Sequence, residues 1–171
     1  MQADSTLERQ ATNMALMASQ VAMTAGEGDD VVVNSRFGKI TINQANAVMF
    51  PNGLVGMPEK TRFCITQFPS EKMERFKLLQ CADDHDLCFV TLPADINNEF
   101  VERADIEEAC HSLGINPSDL AILLIVSVHR RVNAVKLSVN SVAPLLIDSR
   151  RKIATQYVFA NGKYQVRHMI S

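Results

Sequence analysis

Tryptophan is absent from these 171 residues, and tyrosine occurs only as Tyr157 and Tyr164. Single-stranded nucleic acids are held by stacking on aromatic side chains, so a chain this poor in them is expected to make no direct contact with nucleic acid. Long apolar runs are missing as well. The longest, residues 120–126, falls far short of the roughly 20 residues a membrane-crossing helix needs, so no membrane association is expected. The four cysteines, Cys64, Cys81, Cys88 and Cys110, contain no CxxC pair, which reads as reduced core thiols in a cytoplasmic protein. No GxSxG elbow occurs, and the glycines of residues 53–56 lack the GK[ST] ending and following helix of a phosphate loop. His85, His111, His129 and His168 are scattered and no cysteine sits beside a recognisable base, so no catalytic residue is expected. Cys81, His85 and Cys88 have metal-like spacing but no fourth ligand; two core cysteines beside a solvated turn histidine are the simpler account, and neither a metal nor a cofactor is expected.

What is present points to one small domain. Hydrophobic residues make up 47% of the chain, enough to bury a real core at this length. Residues 1–30 read as a separate extension, helical or disordered. Leu7, Ala11, Met14, Ala18 and Val21 recur at helical spacing, and residues 26–30, Gly-Glu-Gly-Asp-Asp, break the pattern. A secretory signal is the rival reading, but the apolar stretch is short and interrupted by Ser19 and Gln20. The extension is expected to be dispensable for folding.

From residue 31 the pattern is that of strands. Val31, Val33, Ile40 and Ile42 flank a Phe37-Gly38-Lys39 turn, and residues 62–68, 76–81, 87–92 and 120–128 follow as further strands. Residues 105–113 have helical composition, with Gly114 suited to the C-terminal cap. The C-terminal region predicts strands at 135–139, 142–147 and 153–159, then an Asn161-Gly162 hairpin closed by residues 164–169. Pro144 donates no ladder bond and belongs at an edge, a bulge or a barrel seam. The expected fold over residues 31–171 is mainly β with one or two short helices. Its core is expected to take in Ile40, Ile42, Ile65, Leu79, Phe89, Val90, Leu123, Ile125, Val126, Leu137, Val139, Leu146 and Val158.

Gly53 and Gly56, set between Pro51 and Pro58, demand a tight irregular backbone with positive φ. The net charge of -2 hides an uneven layout. Residues 83–119 carry ten acids against one base, Arg103, whereas residues 120–171 carry eight bases against one acid, Asp148. The two blocks either meet within the fold or leave an acidic face, with Asp105, Glu107 and Glu108 as its steering residues, that draws in a basic partner.

The ordered set Phe50-Pro51-x-Gly53-Leu54-x-Gly56, then Gln80 and Asp83, then Asn140-Ser141-Val142-Ala143-Pro144 with Gln156 and Tyr164, resembles the bacterial flagellar assembly factor FliW family. The resemblance covers nearly all the chain beyond the extension. Met57 stands where the family usually has phenylalanine, Cys81 where serine is common and Ser141 where leucine is common. Membership would imply a small antiparallel β-barrel-like domain, non-catalytic, that binds the translational regulator CsrA, relieves its repression of flagellin synthesis, and also binds flagellin. A chaperone-like protein that binds flagellin without acting on CsrA is the alternative, and it would need an exposed apolar groove or strand edge.

Overall fold

The structure, a computed structural model, describes residues 30–170. The helical spacing of residues 7–23 lies outside the described residues.

Two strands, β1 (Asp30–Ser35) and β2 (Gly38–Asn43), form a hairpin in the expected register, with Val33 opposite Ile40 and Val31 opposite Ile42. Strands β3 (Val48–Met49), β4 (Arg62–Gln67), β5 (Lys77–Cys81), β6 (Cys88–Ala94) and β7 (Leu120–Arg131) then pair in antiparallel succession. One helix, α1 (Arg103–Leu113), connects β6 to β7. It ends where Gly114 takes φ 65 and closes the last turn, the left-handed cap that glycine adopts without a Cβ penalty.

Closure of the sheet depends on β7. Its first half, residues 120–125, lies between β6 and β9 (Leu145–Asp148), and its second half, residues 126–131, pairs with β8 (Ala134–Val139). Strand β10 (Ile153–Gln156) returns antiparallel to β9 and meets β3 in parallel at a single residue pair, Ile153 with Met49. The circuit β3-β4-β5-β6-β7-β9-β10 is therefore a closed barrel, and the short parallel contact between β10 and β3 is its seam.

Alternation along the strands yields two cores. Phe63, Leu79, Cys81, Leu123, Leu145, Ile147 and Ala154 pack together inside the barrel with Val48, Phe50 and Leu54. Residues of opposite parity, among them Cys64, Leu78, Cys88, Val90, Ile122 and Leu124, pack outside it beneath the β1–β2 hairpin and the buried face of α1, Ile106, Ala109 and Cys110. A strand with side chains buried on both faces reads as a nearly continuous apolar run, which is why residues 120–126 look as they do.

The C-terminal region differs from the expectation. Strand β10 stops at Gln156, Val158 is exposed instead of buried, and Asn161-Gly162 does not turn a hairpin. The last strand, β11 (His168–Ile170), pairs with β8. Residues 157–167 are held by tertiary ties that outweigh the local turn signal: Phe159 N donates to Val142 O, and Ser141 Oγ donates to Gln165 O at 2.9 Å. Ile65, Phe89, Ile125 and Leu137 are half-buried, and the remaining expected core residues are buried.

Candidate functional site

The glycine segment folds as two tight turns in series. Gly53 N donates to Phe50 O at 2.9 Å, and Gly53 takes φ 63. Leu54 and Met57 then exchange both backbone bonds, and Gly56, third in that turn, takes φ 82, as a type II turn requires. Phe50 anchors the loop from below. It is fully buried, edge-on to Phe63 with ring centroids 5.3 Å apart. Pro51 is exposed at the first bend and Val55 at the tip of the second.

The loop lies against the open side of β10. Gln156 Oε1 accepts a bond from Val55 N at 2.7 Å, across 101 residues of sequence. Tyr157 N donates to Pro144 O and Phe159 N to Val142 O. Bonding alternates residue by residue in an antiparallel ladder, so Gln156 turns its own backbone N–H and C=O away from β9, to the side where pairing with β3 has already ended. There a recess of about 340 Å³ opens, lined by residues 52–56, Pro58 and residues 154–156, none of them charged. The lining of Val55, Ala154 and Thr155, like the flanking Met49 and Ile153, was not singled out by sequence. An apolar residue between two paired glycines was the available signal for Val55.

Behind β10 the chain breaks between β8 and β9. Asn140 Oδ1 accepts from Val142 N and Ala143 N, both at 3.1 Å, and thereby closes the corner that contains Pro144. Pro144 is buried there just before β9, where its carbonyl accepts from Tyr157 N and its ring nitrogen has no proton to return. Ala143 is buried beside it, and Gln156 Nε2 lies 3.5 Å from Ala143 O. Phe50, Pro51, Gly53, Gly56, Asn140, Ala143, Pro144 and Gln156 are thus brought to one region.

Gln80, Asp83 and Tyr164 lie elsewhere. Gln80 is fully buried on β5, and its Nε2 approaches the carbonyl oxygens of Cys81, Asp84, His85 and Leu87 at 3.1–3.2 Å. It shapes the acidic turn after β5, which Arg62 and Lys60 brace through ion pairs to Asp83 at 3.1 Å and Asp84 at 2.7 Å. Cys81 and Cys88 are buried at the strand ends while His85 is exposed. Among the described residues no cluster of metal-ligating side chains occurs.

Tyr164 donates its hydroxyl to Asp105 Oδ2, and Lys163 Nζ and Asn161 Nδ2 reach the same oxygen at 3.2 Å. The tyrosine bond, followed by Lys163, holds the Asp105 carboxyl below the usual carboxylate range although partial burial opposes it. Asp105 therefore fastens α1 to the C-terminal segment. Glu107 pairs with Arg103 at 2.7 Å and Glu108 is exposed. The basic and acidic blocks meet in part through Lys163, which also reaches Glu102 at 3.2 Å, whereas Arg151 pairs within its own block with Asp148 at 2.6 Å and donates to Gly114 O at 2.7 Å.

A sequence model of one family, described as FliW protein, matches residues 31–170. The chain belongs to the FliW family. Among FliW relatives, the flagellar assembly factor FliW of Geotalea uraniireducens is 31% identical over 137 residues, covering 80% of this chain and 82% of that one. The flagellar assembly factor FliW 2 of Desulfotalea psychrophila is 31% identical over 140 residues, covering 79% and 87%. A crystal structure of the flagellar assembly factor FliW superposes with a TM-score of 0.62 at 22% identity, over 82% of this chain and 95% of that one. The FliW likeness in structure carries the fold; the family model carries the membership. These relatives are named assembly factors, not enzymes. Among the described residues of this FliW-family chain, no helix is long and apolar enough to cross a membrane. Ser141 is fully buried and exchanges hydrogen bonds with the backbone of Gln165.

Proposed function

We propose that this chain is a non-catalytic, cytoplasmic flagellar assembly factor that binds CsrA, relieves its repression of flagellin synthesis, and also binds flagellin. The observation that carries the reading is the family match across residues 31–170. The partner face is the glycine loop with the open side of β10. An uncharged recess beside a strand edge suits a polypeptide, because backbone groups supply affinity and the apolar rim supplies selection. The exposed acids, Glu108 among them, steer CsrA toward the chain, since a protein that binds RNA carries a basic face.

The same recess favours a second reading, a flagellin-binding protein of chaperone type that leaves CsrA alone. Affinity capture from motile cells with the full chain as bait separates the two. Retention of both CsrA and flagellin is expected. Flagellin alone selects the second reading, and retention of neither overturns both.

A further inference from the structure

Strand β7 outruns the sheet on one of its sides. Its pairing with β6 ends at Ile125, while its pairing with β8 continues through Arg131, so residues 126–139 leave the barrel as a two-stranded ribbon. Asn140 N donates to Ile125 O at 3.0 Å, and Ile122, Leu124 and Val126 fall in one core with Leu123 in the other, so the alternation along β7 is unbroken. Ser127, His129 and Arg131 therefore turn their backbone groups to β8, and Val128 and Arg130 turn their N–H and C=O groups away from it. Among the described residues no strand pairs with β7 on that side beyond Ile125, and no other bond reaches the backbone of Val128 or Arg130. A bare strand edge is a template for a further strand.

The side chains along this edge are apolar and basic. Val128 is 49% exposed, and Val135, paired across the ribbon with Arg130, is 66% exposed. Arg131 and Lys136 are exposed on the opposite face. Among the described residues Arg130, Arg131 and Lys136 take part in no ion pair, although Lys60, Arg62, Arg103, Arg151 and Lys163 all do. Residues 126–139 hold no acid and no Phe, Tyr or Trp. These features choose among occupants. The edge offers carbonyl acceptors as well as N–H donors, which a phosphate chain does not satisfy, and the ribbon has no aromatic side chain on which bases could stack. A second copy paired edge to edge would set Arg130 and Arg131 against the same residues of its neighbour, and like charges adjacent across strands are destabilising. An extended polypeptide rich in carboxylates satisfies the backbone groups and the bases together.

We propose that the outer edge of β7 takes an extended acidic segment of another protein as an added strand, paired to the backbone of Val128 and Arg130, with an apolar side chain beside Val128 and carboxylates beside Arg130 and Arg131. An antiparallel segment reading Glu-Glu-Thr-Val-Thr fits, its first residue opposite Arg131 and its last opposite Ser127. This edge shares no residue with the recess beside β10, so the inference is independent of the reading under Proposed function.

The test follows amide hydrogen exchange in the full chain with a peptide of that sequence at millimolar concentration. Expected is exchange slowed about tenfold or more at Val128 and Arg130, with Gln156 unchanged. The counterpart Lys-Lys-Thr-Val-Thr should have no effect. Methylation of the peptide's valine nitrogen, which faces β7, should abolish the slowing, and methylation of the preceding threonine nitrogen, which faces away, should keep it. Arg130→Glu combined with Arg131→Glu, both at exposed positions, should reverse the preference to the lysine peptide. No slowing with the acidic peptide, equal slowing with the lysine peptide, or slowing that survives methylation of the valine nitrogen overturns the proposal. So does slowing without peptide that grows with protein concentration, the mark of a second copy, or equal slowing by a deoxythymidine oligonucleotide.

Discussion

Replacing Gly53 with alanine sets a Cβ 2.3 Å from Met57 O and 2.7 Å from the Cα and carbonyl carbon of Pro58. All three atoms are backbone, so no side-chain rotation relieves the contact. The loop has to move, and with it Val55 N, now 2.7 Å from Gln156 Oε1. Gly56 provides the control: it also has positive φ, but nothing lies within 4 Å of a Cβ there. Left-handed backbone costs a residue with a side chain about 1–2 kcal/mol, so Gly56→Ala should lose about that much, and Gly53→Ala about 3 kcal/mol or more once the backbone collision is added. At about 2–4 °C per kcal/mol for a chain of this size, the melting temperature should fall by about 10 °C for the first glycine and about 4 °C for the second. Urea titration with a shared slope gives the energies directly. Equal losses for the two variants refute the reasoning, because the close approach of Pro58 distinguishes the sites and the sign of φ does not.

Gln80→Leu removes the side-chain donor shared by the carbonyls of the turn after β5, while Asp84 O and Leu87 O keep their bonds from Leu87 N and Cys81 N; a loss of about 1 kcal/mol in urea, the net worth of a hydrogen bond, is expected. Asp105 titrates below the ordinary carboxylate value in the folded chain, so its contribution is complete above about pH 4 and is lost as pH falls further toward the folded pKa. Melting temperature measured from neutral to acid pH should accordingly fall less steeply below about pH 4 in Asp105→Asn than in the parent, and an unchanged slope would contradict the assignment. Charge reversal at Glu107 and Glu108 should slow association with CsrA, more at low salt than at high, since exposed charges act over a Debye length of about 8 Å at physiological ionic strength. Reversal of Arg150, which is also exposed, serves as the opposite control in the same surface plasmon resonance series: an equal slowing there discards steering by the acidic block.

Local chemistry wrote much of the fold legibly. The β1–β2 hairpin follows from apolar alternation on either side of Gly38, and α1 ends at Gly114 because glycine alone accepts φ 65 without strain. Closure was not legible, since it depends on β7 pairing with three strands and on one parallel residue pair between β10 and β3, contacts that no local pattern encodes. The Asn161-Gly162 signal misled for the same reason: Ser141 and Asp105, both far away in sequence, hold the segment in another course. Gly53, Gly56 and Gln156 stood out beforehand, but the bond that joins the loop to β10 spans the length of the domain. Asp105 looked like a surface charge because its partners Asn161, Lys163 and Tyr164 are more than fifty residues away.

If one chain serves two partners through one face, the partners exclude each other, and competition titration calorimetry on purified proteins reads that exclusion. CsrA and flagellin should each give a binding isotherm with the full chain, prior saturation with flagellin should abolish the CsrA heat, and Val55→Asp should weaken flagellin binding without lowering the melting temperature. Full CsrA heat in the presence of saturating flagellin, or no heat with either partner, would contradict it.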